Sequence, residues 1–211
     1  MQRVALIDYG SGNLRSAEKA LRRAAGERAN IVVTSDADVV ANADRIVLPG
    51  VGAFAACMSA LHERDGLIEA MTEAVKSKGS PFLGVCVGMQ LLATRGLEFG
   101  ETPGLGWIAG DVVRMEPGDR SLKVPHMGWN ALDVGRAHPL FAGEPDHPHM
   151  YFTHSFVLQP AEPSDVLATF EHGGRYVAAV ARDNVAGVQF HPEKSQHAGL
   201  RLLANFLEWR P

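Results

Sequence analysis

Residues 82–92 read Phe82-Leu83-Gly84-Val85-Cys86-Val87-Gly88-Met89-Gln90-Leu91-Leu92. A short apolar run passes here into residues of helical character, through a thiol with a glycine two residues away on each side. That pattern predicts a strand turning sharply into a helix. An unbroken apolar run suits a strand covered on both faces, the condition of a parallel sheet enclosed by helices. Upstream, residues 4–7 form a similar run closed by Asp8 and Gly10-Ser11-Gly12, and residues 31–34 and 46–48 repeat the signal. Leu14, Ala17, Leu21 and Ala24 recur at helical spacing up to Gly26, and stretches rich in Ala, Met and Leu lie between Phe54 and Val75. The alternation predicts an α/β fold: a doubly wound, mostly parallel sheet flanked by helices.

Beyond Gly96 the rhythm changes. Residues 107–115, 129–134, 151–158, 166–170 and 176–181 are β-rich stretches broken by Pro, Gly and Asp, which predicts β-hairpins added in the second half. Residues 186–190 read as one more buried strand, and Leu200, Leu203, Phe206 and Leu207 as one face of a last helix. With no repeat and no linker-like stretch, residues 1–211 read as a single domain.

Composition removes several classes of function. The 211 residues are 46% hydrophobic and 21% charged, values of an ordinary folded chain and not of a disordered or fibrous one. Lys and Arg number 20 against 24 Asp and Glu, a net charge of −4 without a basic run, so no nucleic-acid partner is expected. Only four apolar residues in a row precede Asp8, too few for a signal or a membrane span. Two cysteines, Cys57 and Cys86, make no disulfide framework, and a reducing cytoplasmic setting is expected.

The two cysteines differ in context. Cys57 lies in a helical pattern beside Ala56 and Met58 and reads as packing, whereas Gly84-Val85-Cys86-Val87-Gly88 has the form of a nucleophile elbow. Such a turn crowds the backbone and exposes the thiol at a helix start, where the Val87 amide would face a developing oxyanion. Taken alone, Cys86 fits a small buried hydrophobe equally well. A nucleophilic thiol needs a base and the base an orienter, and Phe190-His191-Pro192-Glu193 offers both, because side chains two apart in extended chain share a face. A glycine-rich turn, Pro49-Gly50-Val51-Gly52, would bring further amides, and Gln90 stands one helical turn beyond Cys86. Other signals are weaker. Arg15 occupies the third-glycine place after Gly10 and Gly12, so no dinucleotide cofactor is expected, and His147 with His149 lacks a third metal ligand.

Taken in order, Pro-Gly-Val-Gly, Gly-Val-Cys-Val-Gly-Met-Gln and Phe-His-Pro-Glu resemble the class I, triad-type glutamine amidotransferases. Asp8-Tyr9-Gly10-Ser11-Gly12-Asn13, residues 49–54, residues 124–130, residues 151–156 and His191-Pro192-Glu193-Lys194-Ser195 narrow the resemblance to the glutaminase subunits of imidazole glycerol phosphate synthase. The resemblance spans nearly the whole chain. It implies that Cys86 attacks the side-chain amide of glutamine, that His191 protonates the departing ammonia and then activates water, and that Glu193 orients His191. It further implies oxyanion or substrate contacts from Gly50, Val51, Gly52 and Val87, and a hold on glutamine by Gln90, His154, Ser155 and Phe156. No cofactor or metal is implied. The implied partner is a (β/α)₈-barrel cyclase subunit that consumes the ammonia, making imidazole glycerol phosphate and an aminoimidazole carboxamide ribotide.

A partner is also expected from length, since 211 residues leave little room for a second catalytic domain to capture ammonia before water does. Pro125, His126, Met127, Gly128, Trp129 and Asn130 have the composition of an interface anchor, though a buried Trp in a hairpin fits as well; Lys194, directly after Glu193, is a further candidate partner contact, with a solvated lysine the default. Two alternatives stay open on sequence alone. One is a glutaminase subunit of another amidotransferase, or a γ-glutamyl hydrolase. The other is a non-catalytic redox-sensing module, which would have no use for His191 and Glu193.

Overall fold

The computed structural model describes residues 1–119 and 121–211. Its first half is the alternation expected: β1 (Gln2–Ile7), α1 (Leu14–Ala25), β2 (Ala29–Thr34), α2 (Ala37–Ala41), β3 (Arg45–Gly50), α3 (Phe54–His62), α4 (Leu67–Thr72), β4 (Phe82–Cys86) and α5 (Val87–Gln90). The strands β5 (Arg95–Gly96), β6 (Thr102–Pro103), β7 (Gly110–Arg114), β8 (His126–Ala131), β9 (Asp133–Val134), β10 (His149–His154) and β11 (Phe156–Pro160) follow. The chain closes with β12 (Val166–Glu171), β13 (Arg175–Arg182), β14 (Val185–Val188) and α6 (Gln196–Glu208).

One eight-stranded sheet, in the order β2-β1-β3-β4-β14-β13-β12-β9, organises the molecule. It is parallel from β2 to β14 and antiparallel from there to β9. Every residue of β3, β4 and β14 is buried, as the unbroken apolar runs require of central parallel strands. Each fully buried aliphatic there contributes about 1.5–3 kcal/mol. Helix α1 packs on α6, and α2 on α4. The hairpin half adds a β10-β8 pair and a four-stranded β11-β7-β5-β6 sheet.

Four sequence expectations change. The helical stretch from Phe54 divides into α3 and α4 around a turn that ends at Gly66 in the left-handed region, and α4 runs on into a π-helical turn, Glu73–Ser77. A short helix, α2, was not foreseen; Asp36 starts it by accepting from the Asp38 and Val39 amides. The stretch 151–158 is two strands parting at Ser155, β10 pairing with β8 and β11 with β7, because the hydrophobic pattern carries on across a change of partner. The strand at 186–190 ends at Val188, and after Gln189, whose amide still donates to Ala178 O (2.8 Å), the chain leaves the sheet.

Candidate active site

The carboxyl ends of β3, β4 and β14 lie side by side, the place where open parallel sheets build sites. Register pairs Gly50 with Cys86 and Val188 with Val85, so Gln189 is next to the row of Cys86. Cys86 itself has φ 56° and ψ −113°, a backbone state that costs a non-glycine residue on the order of 1–3 kcal/mol. The two flanking glycines explain how it is held. A Cβ on Gly88 would stand 1.9 Å from the Leu48 carbonyl oxygen, and one on Gly84 would stand 2.4 Å from the Gly88 carbonyl oxygen. Strand and helix fold back on each other so closely that no side chain fits between them.

The helix after the elbow is shorter than its sequence suggests. Helix α5 ends at Gln90, and i→i+3 bonds from Leu92 to Met89 (3.1 Å) and from Ala93 to Gln90 (3.0 Å) turn the chain away. One turn carries little macrodipole, so the surroundings of Cys86 fall to its neighbouring side chains.

His191 is the chief neighbour. Its Nδ1 lies 2.9 Å from Glu193 Oε1, both side chains being almost wholly buried. The loop that carries it is tied to β10: the His191 amide donates to Tyr151 O (2.9 Å), the Tyr151 amide to Ser195 Oγ (3.0 Å), and Ser195 Oγ to His191 O (2.6 Å). Burial alone would lower the imidazole pKa, but Cys86 and Glu193 outweigh it and hold the ring up to about 9. His191 Nε2 has no hydrogen-bond partner among the described residues, which leaves it open to a reacting group.

A cavity of ≈ 290 Å³ opens over these groups. Cys86, Val87, Gln90 and His191 line one side of it, and Thr153, His154, Ser155 and Phe156 another. Val51, Gly52, Lys194 and Glu98 complete it. Gly50 sits behind the lining, where a Cβ would meet the Gly88 nitrogen and the Tyr9 hydroxyl at 2.8 Å, and Glu193 stands behind His191. The loop amides are not all free. Val51 N–H is donated to Ser11 Oγ (3.2 Å), while Ser11 Oγ donates to Val51 O (2.7 Å). Gln90 Nε2 is spent on Phe156 O (2.9 Å) and Gln189 Oε1 (3.1 Å), so Gln90 offers the cavity only its oxygen. His154 Nδ1 donates to Phe156 O (3.0 Å), and burial pushes its pKa down to about 3, a neutral ring.

Three residues escaped the sequence reading. Glu98 also accepts from the Phe54 amide (2.9 Å), and nothing in the sequence separates it from the other 23 acidic residues. Thr153 had no signal of its own. Gln189 had one, since Gln189, His191 and Glu193 follow at spacing two in extended chain; it is completely buried, and its Nε2 lies 3.9 Å from Cys86 Sγ.

The interface segment divides along β8. Alternation turns Met127 (65% exposed) and Trp129 (47%) outward and His126 inward, so His126 leaves the outer face expected of it. Its ring stacks on Phe170 at 5.1 Å between His172 and His154, and burial, with His172 close by, lowers its pKa to about 4. Asn130 is tied to Glu171 O (2.8 Å), Pro125 is exposed and Gly128 is half-buried. Trp129 meets Tyr151 edge-on at 5.9 Å, and Lys194 Nζ lies 5.7 Å over the Tyr151 ring, which connects this outer face to the cavity.

The chain matches known proteins along nearly its whole length. The family model for glutamine amidotransferase class-I matches residues 5–209. The imidazole glycerol phosphate synthase subunit HisH of Caulobacter vibrioides is 65% identical over 214 residues, covering 100% of both chains. That of Ruegeria pomeroyi is 58% identical, covering 98% of this chain and 99% of its own. Among solved structures, PurLQS from Thermotoga maritima superposes with a TM-score of 0.73 at 19% identity, covering 98% of each chain. A structure described as a glutamine amidotransferase gives 0.71 at 23%, covering 97% of each.

Proposed function

Because the chain belongs to the class-I glutamine amidotransferase family, in the line of the HisH subunits of imidazole glycerol phosphate synthase, we propose that it hydrolyses glutamine to supply ammonia for histidine biosynthesis. The observation that carries this reading is the meeting, in one cavity, of an elbow cysteine with a buried His191–Glu193 pair.

In this reading residues 1–211 act as one glutaminase domain. Glutamine enters with its α-ammonium toward Glu98, the one carboxylate among the described residues lining the cavity, and its side-chain amide over Cys86. Cys86 yields its proton to His191 Nε2, and its sulfur adds to the amide carbon. The oxyanion is met by the Val87 amide and by the Gly52 amide of the Gly50-Val51-Gly52 loop, the Val51 N–H being held by Ser11 Oγ. His191, held in one tautomer by Glu193, passes its proton to the amide nitrogen as the C–N bond breaks, and ammonia leaves a γ-glutamyl thioester. Water then gives a proton to His191 and adds to the thioester carbon, releasing glutamate and restoring the thiol. Gln90, His154, Ser155 and Phe156 shape the cleft around the substrate.

Ammonia released to bulk water is protonated and diluted, which favours capture by an attached acceptor. The reading assigns that role to a (β/α)₈-barrel cyclase subunit docked through Pro125, Met127, Gly128, Trp129, Asn130 and Lys194, with the pair working in the cytoplasm. No helix among the described residues is long and apolar enough to cross a membrane. The test is glutamine hydrolysis by the purified chain, with and without the cyclase and its ligand. Slow turnover alone, strong acceleration by the loaded partner and loss of both on Cys86→Ala are expected. Undiminished ammonia release by Cys86→Ala would overturn the reading.

A further inference from the structure

Gln189 is completely buried and carries two donors and an acceptor, all of which burial obliges to find partners. The sense of its amide is fixed from outside. Gln90 Nε2 donates both to Phe156 O (2.9 Å) and to Gln189 Oε1 (3.1 Å), which identifies the Gln189 oxygen as an acceptor and turns its nitrogen toward Cys86 Sγ, 3.9 Å away. A neutral thiol is a poor acceptor for such a donor, whereas a thiolate is a strong one. The arrangement therefore suits the ionised sulfur better than the protonated one.

We propose that Gln189 is a catalytic donor of this site: its side-chain N–H holds the sulfur of Cys86 in the thiolate state, and Gln90 keeps that amide aimed. This rests on the reading of Cys86 as the nucleophile. The donor serves twice, once when His191 has taken the thiol proton and the sulfur is about to attack, and again when the thioester is hydrolysed and the sulfur departs as an anion. The oxyanion donors cannot do this, because they address the substrate oxygen. Nor does α5 do it, being a single turn. Gln90 thereby gains a second role, as the positioning residue of Gln189 as well as a wall of the cavity.

The experiment is the rate of Cys86 alkylation by iodoacetamide from pH 5 to 10, with peptide mass spectrometry separating Cys86 from Cys57. With Gln189→Met, which keeps the volume and removes the donor, labelling near pH 7 falls about tenfold and the gap closes at alkaline pH, where every thiol is ionised. The kcat of glutamine hydrolysis falls by a similar factor with KM little changed. With Gln189→Glu, whose carboxylate repels the thiolate, the loss is larger. Superimposed profiles for the native chain and Gln189→Met, or an offset equal at every pH, would overturn the proposal. Should both variants misfold, the side-chain amide resonance of Gln189 in the native chain decides: it must move as Cys86 ionises, and an unmoved resonance rejects the donor. Failure of the underlying reading looks different, since hydrolysis would then survive Cys86→Ala whatever Gln189 does.

Discussion

The elbow between β4 and α5 and the outward hairpin of β8 and β10 both carry glycines and both border the same cavity, yet they are built on opposite terms. At the elbow, backbone touches backbone: Gly84, Gly88 and the Leu48 carbonyl leave no room for a single carbon atom. On the hairpin, Gly128 has φ +134° with nothing within 4 Å of where a Cβ would stand, and its neighbours Met127 and Trp129 project away from the protein. One region is specified by what cannot be inserted, the other by what is presented. The difference teaches where each tolerates change: the elbow of the parallel half is held by close packing, and the docking face proposed for the antiparallel half is made of projecting side chains.

The sharpest way to break this comparison is Gly88→Ala. A methyl group 1.9 Å from a backbone carbonyl in a central strand has no flexible neighbour to displace, so a loss above about 4 kcal/mol is expected, together with the loss of activity. Denaturant unfolding measures it, and a near-native midpoint would refute the packing account. Trp129→Ala is the counterpart on the hairpin. Here the fold and the basal hydrolysis of glutamine should stay, while affinity for the cyclase falls by about 2 kcal/mol, roughly 30-fold, in a titration. Gly128→Ala then isolates conformation from space. With φ in the left-handed half and no clash, it should cost only about 1–2 kcal/mol, well under the elbow glycine.

The same contrast explains what could be read from the sequence. Gly84-Val85-Cys86-Val87-Gly88 was legible because a steric demand at a sharp turn writes itself as glycine at fixed spacing. His191 and Glu193 were legible because they act across two residues of one extended segment. Their meeting with Cys86 was inferable only from the conjunction of motifs, since the β4–β14 pairing that brings them together joins residues as distant in sequence as Val85 and Val188. Glu98 enters the cavity through a loop whose course depends on Phe54, and Ser11 pins Val51 across 40 residues, so neither leaves a local trace. The inward turn of His126 was hidden for another reason: the segment was read by composition, and composition does not record which way a strand's alternation points.

Acidity offers the finest test, because the loop after β14 that meets the elbow and the β8–β10 pair hold histidines shifted in opposite directions. His191, raised to about 9 from 6.5, favours the proton in the folded chain. Its contribution is complete below pH 6.5 and is lost as pH rises through 9. His126 and His154, lowered to about 4 and about 3, favour the neutral ring in the folded chain. Their contribution is complete above pH 6.5 and is lost as pH falls toward 4 and 3, while the unfolded chain takes up protons. The melting temperature should therefore decline on both sides of a maximum near pH 6.5, the alkaline limb belonging to the catalytic loop and the acidic limb in part to the hairpin cluster. Carboxylates also contribute on the acidic side, so the assignment needs a variant. His126→Phe keeps an aromatic ring against Phe170 and removes the titrating group. It should flatten the acidic limb by about 1 kcal/mol, or roughly 2–4 °C, and leave the alkaline limb unchanged. Glu193→Gln should do the reverse, since it withdraws one of the two groups that hold His191 protonated. An acidic limb identical with and without His126 would mean that its ring takes up a proton in the folded chain as readily as in the unfolded one, and the division between the two regions would then stop at the elbow.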